Sequence, residues 1–144
     1  MNRVLIASDH AGFKLKKILI EELQGKIKFE DLGPFSENSV DYPDYAKKLS
    51  KKIDLKNDLI GVLICGSGIG MSMVANRFKN VRAALCMNDK MSILARQHNN
   101  ANILVLGSRL ISEQEAIKCL LIFLKTNYEG GRHQARLDKF NIVE

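Results

Sequence analysis

The sequence predicts one α/β domain, three layers deep, with helices on both faces of a five-stranded parallel sheet. Three observations predict it. Short apolar runs alternate with amphipathic stretches along the whole chain. The runs are apolar at successive positions, as strands covered on both faces are. The chain has 144 residues, 46% of them hydrophobic, with no linker, repeat or low-complexity segment, which suits a single domain with a full core.

The elements follow in order. Val4–Ala7 is a short buried strand. Ala11–Gln24 is a helix, because Leu15, Ile18, Leu19 and Leu23 share one stripe, and Gly25 ends it. Lys26–Leu32 alternates and makes the second strand, closed by Gly33-Pro34; Phe35–Asp41 is polar and turn-rich. Pro43 suits the first turn of a helix that Ala46, Leu49 and Ile53 continue. Leu59–Cys65 is a strand, apolar except for Gly61. Met71–Phe78 is the next helix, Arg82–Cys86 a strand, Lys90–His98 a helix and Ile103–Leu106 the fifth strand. Ser112 caps a long helix through Leu124, with Glu115 three residues on as the second half of a capping box. Arg132–Phe140 is a final short helix.

Composition narrows the function. The net charge of +6 raises the question of nucleic acid. Lys14, Lys16 and Lys17, then Lys47, Lys48, Lys51 and Lys52, stand at helical spacing opposite apolar positions, which reads as a solvated face. With no Trp and few aromatics, base-stacking platforms are scarce, so no nucleic-acid partner is expected. No apolar span is long enough for a membrane helix. The chain starts directly on a strand pattern, "RVLIAS", so no signal peptide is expected and the cytoplasm is the expected compartment. Cys65, Cys86 and Cys119 are odd in number and widely spaced, which points to reduced thiols rather than a disulfide framework or a zinc site.

In parallel α/β sheets ligands bind beyond the carboxyl ends of the strands. That singles out Ser8-Asp9-His10, Cys65-Gly66-Ser67 and Gly107-Ser108-Arg109. The stretch "CGSGIGMS" carries Gly66, Gly68 and Gly70 at alternate positions. It is neither the dinucleotide fingerprint nor a Walker loop. It is either a tight strand-to-helix turn or a run of backbone donors able to hold an anion or an oxyanion. Cys65, last in its strand and facing a helix N-terminus, is placed where thiolate is favoured, hence a candidate base or nucleophile. His98, beside Asn99, closes a helix, as a dipole partner or as a catalyst. Arg132 and Arg136 lie four apart in "GGRHQAR" with neutral residues between, either an exposed basic turn or a phosphate clamp. No Cys/His/Asp cluster has ligand spacing, Asp9-His10 being the nearest approach, so neither metal nor cofactor is expected.

The segments "SDHAGF", "VDYPDYA", "ICGSGIGMS", "VANRF", "RQHNNANILVLGSR" and "YEGGRHQARLDK" span the chain from the first strand to the last helix. Together they resemble the RpiB/LacA/LacB sugar-phosphate isomerase family, the ribose-5-phosphate isomerase B type among them. The resemblance implies a Rossmann-like fold and metal-free interconversion of ribose 5-phosphate and ribulose 5-phosphate through an enediolate. It implies that Cys65 moves the proton between C1 and C2. Ser67 and the backbone of Gly66, Gly68 and Gly70 would hold the enediolate oxygens. His98 would open the furanose, with Asp9 assisting at the hydroxyls. His10, Arg109, Arg132 and Arg136 would hold the phosphate, and Tyr42 and Asn99 would line the sugar site. It further implies a homodimer or homotetramer whose sites are shared, with His98, Asn99, Arg132 and Arg136 coming from the neighbouring chain. One branch of the family carries a glutamate where this chain has Met71, so the cysteine branch is the one resembled. Two rivals remain: an isomerase of a 6-carbon aldose 6-phosphate such as allose 6-phosphate, and a non-catalytic sugar-phosphate sensor.

Overall fold

The structure, a computed structural model, describes residues 2–141. Five strands and six helices alternate among them: β1 (Asn2–Ser8), α1 (Phe13–Leu23), β2 (Ile27–Asp31), α2 (Tyr42–Leu55), β3 (Ile60–Cys65), α3 (Ile69–Ala75), β4 (Ala83–Leu85), α4 (Asp89–Asn99), β5 (Ile103–Gly107), α5 (Glu113–Lys125) and α6 (Arg132–Leu137). The strands form one all-parallel sheet in the order β2-β1-β3-β5-β4. The expected three-layer Rossmann-like architecture is what forms.

Successive strand residues point to opposite faces, and each face builds its own core. Val4, Ile6, Val62, Ile64, Leu104 and Leu106 pack beneath Leu19 of α1 and Leu120 and Phe123 of α5. Leu5, Ala7, Leu63, Ile103 and Val105 pack beneath Leu49 and Ile53 of α2 and Met71 of α3. These strand residues are fully buried, which is why the strands read as unbroken apolar runs. Among the described residues no helix is long and apolar enough to cross a membrane. Cys65, Cys86 and Cys119 are all free thiols.

Local expectations shift at several places, α3 for one ending at Ala75 instead of Phe78. Helix α3 begins at Ile69, not Met71, because Gly68 takes the left-handed conformation (φ 78°) and turns the chain straight from β3 into the helix. The final helix stops at Leu137, three residues short of Phe140. Ser112 does cap α5, its side chain accepting from the Glu115 N–H. The Glu115 carboxylate, however, accepts from the Asp89 N–H at the start of α4, so the box is only half made and its acidic member joins two helices. The largest correction is Lys16. It is not on a solvated face: it is 1% exposed. Its ammonium donates to Asp31 Oδ1 and to the Pro34 carbonyl, both at 2.7 Å. An amine can be buried only with such partners. The other six lysines of the two groups are exposed as expected.

Candidate active site

The carboxyl ends of β1, β3 and β5 meet at one cleft of about 560 Å³, lined by Asp9, Tyr42, Cys65, Gly66, Ser67, Gly70 and Arg109, with Ile69, Met73 and Leu110 as an apolar rim. Cys65 ends β3 and is 5% exposed, at the floor of this cleft. The Gly68 N–H donates to its Sγ at 3.2 Å. That N–H is therefore engaged by sulfur, whereas the Gly70 N–H lies in the first turn of α3, where a helix offers no intrahelical partner. Ser67 Oγ accepts from the Ile69 N–H at 3.2 Å, which fixes the hydroxyl at the helix entry.

The glycines are where they are because other groups occupy the space. A Cβ on Gly68 would lie 2.5 Å from Leu85 Cδ1 and 3.2 Å from the Gly107 nitrogen. A Cβ on Gly66 would meet the Arg109 guanidinium at 2.8 Å, and one on Gly70 would enter the Tyr42 ring at 2.4 Å. Arg109 and Tyr42 thus lie directly over the glycine loop. The turn after β5 is pinned to it as well: Ser108 N–H donates to the Cys65 carbonyl at 2.9 Å and Arg109 N–H to the Gly66 carbonyl at 3.0 Å.

Asp9 is 7% exposed, and its Oδ1 accepts from the Gly12 N–H at 2.9 Å, so one carboxylate oxygen shapes the entry to α1. His10 Nδ1 accepts from the Val40 N–H at 3.1 Å, tying the turn-rich segment to the end of β1 and leaving Nε2 as the donor. Met71 is fully buried in the core, not in the cleft. Cys86 and Cys119 are structural: burial pushes both thiols up to about 12.

The remaining expected residues lie elsewhere. A helix that follows a parallel strand runs back, so its carboxyl end returns to the amino ends of the strands. His98 and Asn99 close α4, which leads into the start of β5. Arg132 and Arg136 are on α6, beyond the end of α5, and both are exposed. The Glu129 N–H donates to the Gln97 carbonyl at 3.1 Å, holding the approach to α6 against the end of α4. Strands of five residues or more separate these groups from Cys65 by roughly 15–20 Å. A larger cleft of about 840 Å³ opens at this second end, lined by Asn99, Gln134, Arg82 and several further asparagines. It contains no thiol, hydroxyl or histidine from the expected set.

Two residues of this second cluster were not singled out from the sequence. His133 is 8% exposed, and its ring stacks on His98 with centroids 4.4 Å apart. Glu129 Oε1 stands 3.5 Å from His133 Nε2 and 3.9 Å from His98 Nε2. So Asp9-His10 is not the nearest approach to a ligand cluster: the donor atoms of His98, Glu129 and His133 lie within 4.8 Å of one another. The rings are only 15° from parallel, so their in-plane lone pairs run side by side instead of converging. The i, i+4 spacing of Glu129 and His133 was visible in "EGGRH"; their meeting with His98, some thirty residues earlier, was not.

Residues 4–140 match the Ribose/Galactose Isomerase family. Ribose-5-phosphate isomerase B of Escherichia coli is 35% identical over 145 residues, covering 100% of this chain and 97% of its own. The crystal structure of a ribose 5-phosphate isomerase from Thermotoga maritima superposes with a TM-score of 0.93 at 51% identity, covering 96% of this chain and 97% of that one. Ribose-5-phosphate isomerase B of Mycoplasma genitalium, solved with bound ribulose 5-phosphate, gives a TM-score of 0.91 at 48% identity, with 95% and 92% covered.

Proposed function

This chain belongs to the Ribose/Galactose Isomerase family, and we propose that it interconverts D-ribose 5-phosphate and D-ribulose 5-phosphate in the non-oxidative branch of pentose phosphate metabolism. The observation that carries the reading is the cleft at the strand ends, with a thiol on its floor and backbone donors beside it. Aldose–ketose isomerisation needs a base next to C2 and a partner for the charge that develops on O1 and O2. Cys65 as thiolate takes the C2 proton and returns it to C1. A hydroxyl proton moves from O2 to O1, so the enediolate collapses to the ketose with no net change in protons. The Gly70 N–H and Ser67 Oγ face the enediolate oxygens. The Gly68 N–H, bonded to Sγ, holds the sulfur in place.

The substrate also needs its phosphate held and its ring opened. Arg109 supplies a phosphate donor at the cleft, and the Nε2 edge of His10, next to Asp9 but outside the cleft lining, supplies a second once the phosphate reaches past the rim. Tyr42 closes over the sugar, and Asp9 meets the hydroxyls. His98, Asn99, Arg132 and Arg136 lie at the far end of the same sheet. They serve catalysis only if a second copy of the chain presents that end to the Cys65 cleft. The reading is therefore a twofold homodimer, alone or paired into a tetramer, with two equivalent shared sites. His98 from the neighbour opens the furanose, and Arg132 and Arg136 from the neighbour complete the phosphate clamp. No step calls for a metal or organic cofactor.

The test is kcat/KM for ribose 5-phosphate and allose 6-phosphate measured side by side on the purified protein. Preference for the pentose supports the assignment. Preference for the hexose moves the protein to the 6-carbon branch, and no turnover of either sugar leaves only a binding role.

A further inference from the structure

Glu129 stands where the ends of α4 and α5 and the start of α6 meet. Gly130 (φ 67°) and Gly131 (φ 55°) turn the chain sharply there, so the residues on either side of the pair fold back on each other. The turn brings the Glu129 carboxylate within 3.5 Å of His133 Nε2, while the Glu129 backbone is bonded to Gln97, next to His98. The same carboxylate oxygen lies 3.9 Å from His98 Nε2. His133 forms the inner layer, with a side chain 10% exposed; His98 forms the outer layer, 39% exposed and open to whatever approaches. Arg96 ties the end of α4 to the end of α5, donating to the carbonyls of Thr126 and Ala101.

We infer that Glu129 is a positioning residue for ring opening, acting through His98. The inference rests on the role given to His98 above. Two features bear on that imidazole. The His133 ring stacks on it and sets its plane. The Glu129 carboxylate, 3.9 Å from Nε2 and so beyond direct hydrogen-bond reach, favours by its charge the ring rotation that keeps an Nε2 proton on its side. With Nε2 turned to the carboxylate, Nδ1 is the edge presented to the sugar. Ring opening takes a proton from the O1 hydroxyl and delivers one to O4, so the working nitrogen must be unblocked and correctly turned. A carboxylate orienting one nitrogen so that the other can act is a recurring use of histidine. Glu129 touches no reacting atom in this arrangement.

The experiment uses the full-length enzyme and two substrates: ribose 5-phosphate, and 4-deoxyribose 5-phosphate, which lacks the O4 needed to close a furanose. The variants are Glu129→Gln, Glu129→Asp, His98→Asn and the double variant Glu129→Gln/His98→Asn, with folding checked by thermal melts. Glu129→Gln should lower kcat for ribose 5-phosphate about tenfold, move KM less than about twofold, and spare the 4-deoxy sugar. Glu129→Asp, which keeps the charge, should recover part of the loss. In the His98→Asn background the Gln substitution should cost nothing further, because its effect runs through the missing imidazole. Equal losses on both substrates, or losses that multiply in the double variant, would mean that Glu129 only shapes the turn, and the inference falls. If His98→Asn impairs ribose 5-phosphate selectively and Glu129→Gln does not, the inference falls alone. If His98→Asn itself spares ribose 5-phosphate, the ring-opening role of His98 falls with it.

Discussion

Gly68→Ala and Gly70→Ala alter the same loop two residues apart, and the structure assigns them opposite outcomes. At Gly68 the backbone is left-handed (φ 78°), which costs an L-residue roughly 1–2 kcal/mol. The new methyl would also lie 2.5 Å from Leu85 Cδ1, 3.1 Å from the Leu106 carbonyl carbon and 3.2 Å from the Gly107 nitrogen. Leu85 can rotate, but the β5 backbone is fixed by its ladder to β3, so overpacking adds about 1–3 kcal/mol. The sum, about 2–5 kcal/mol, corresponds to a fall in melting temperature of roughly 5–20 °C for a chain of this size. At Gly70 the obstacle is the Tyr42 ring, 2.4 Å from the new Cβ, and that side chain is 37% exposed and free to swing outward. Alanine also favours the helix by up to about 1 kcal/mol. Gly70→Ala should therefore stay within about 1 kcal/mol of the parent while raising KM through the displaced tyrosine. Thermal and urea melts of both variants, with initial-rate kinetics below the melt, decide it. Equal stability of the two would refute the reading of the loop.

Cys65→Ala should fold normally and lose about 10²–10⁴-fold in kcat; a folded variant keeping more than about a tenth of the parent rate would remove Cys65 as the base. Iodoacetamide at pH 8 should label Cys65 alone, with loss of activity that bound substrate prevents, because the Cys86 and Cys119 thiols, pushed up to about 12 by burial, stay protonated; peptide mapping that finds labelled Cys86 or Cys119 in folded enzyme contradicts this. Dialysis against a strong chelator should leave activity intact, and activity lost on dialysis and restored only by added zinc or manganese would overturn the metal-free mechanism. Lys16→Met should destabilise by about 1–3 kcal/mol without touching KM, since it strips Asp31 and the Pro34 carbonyl of a buried donor; an unchanged urea midpoint would show the ion pair to be neutral.

The sheet was legible because burial on both faces writes itself as unbroken apolar runs, and Val62-Leu63-Ile64 is such a run. Cys65 was legible for a related reason: it is the last residue of a run that stops at glycines. Lys16 was not, because a helical stripe shows which side faces away from one core but not that Asp31 and Pro34 curl over it. The early start of α3 was hidden by Gly70, a residue that weakens a helix signal although its small size is what lets Tyr42 pack there. Most instructive is the division of the site. The family resemblance already assigned His98 and Arg132 to a neighbouring chain's site, and the direction of α4, which carries His98 to the other end of the sheet from Cys65, gives the physical reason. The residue types were visible in the sequence and their separation was implied by the resemblance; its geometric cause comes from tracing helices back along parallel strands.

That division is the central claim, and subunit mixing tests it directly. Cys65→Ala and Arg136→Ala are each expected to be inactive alone. Mixed under conditions that allow exchange, about half the dimers carry one chain of each kind. With shared sites, one site of such a dimer holds both lesions and the other holds neither, so about a quarter of the parent activity should return. If Arg136 instead served the Cys65 of its own chain, every site would keep one lesion. No recovery, with exchange confirmed by mass labelling, would contradict the account.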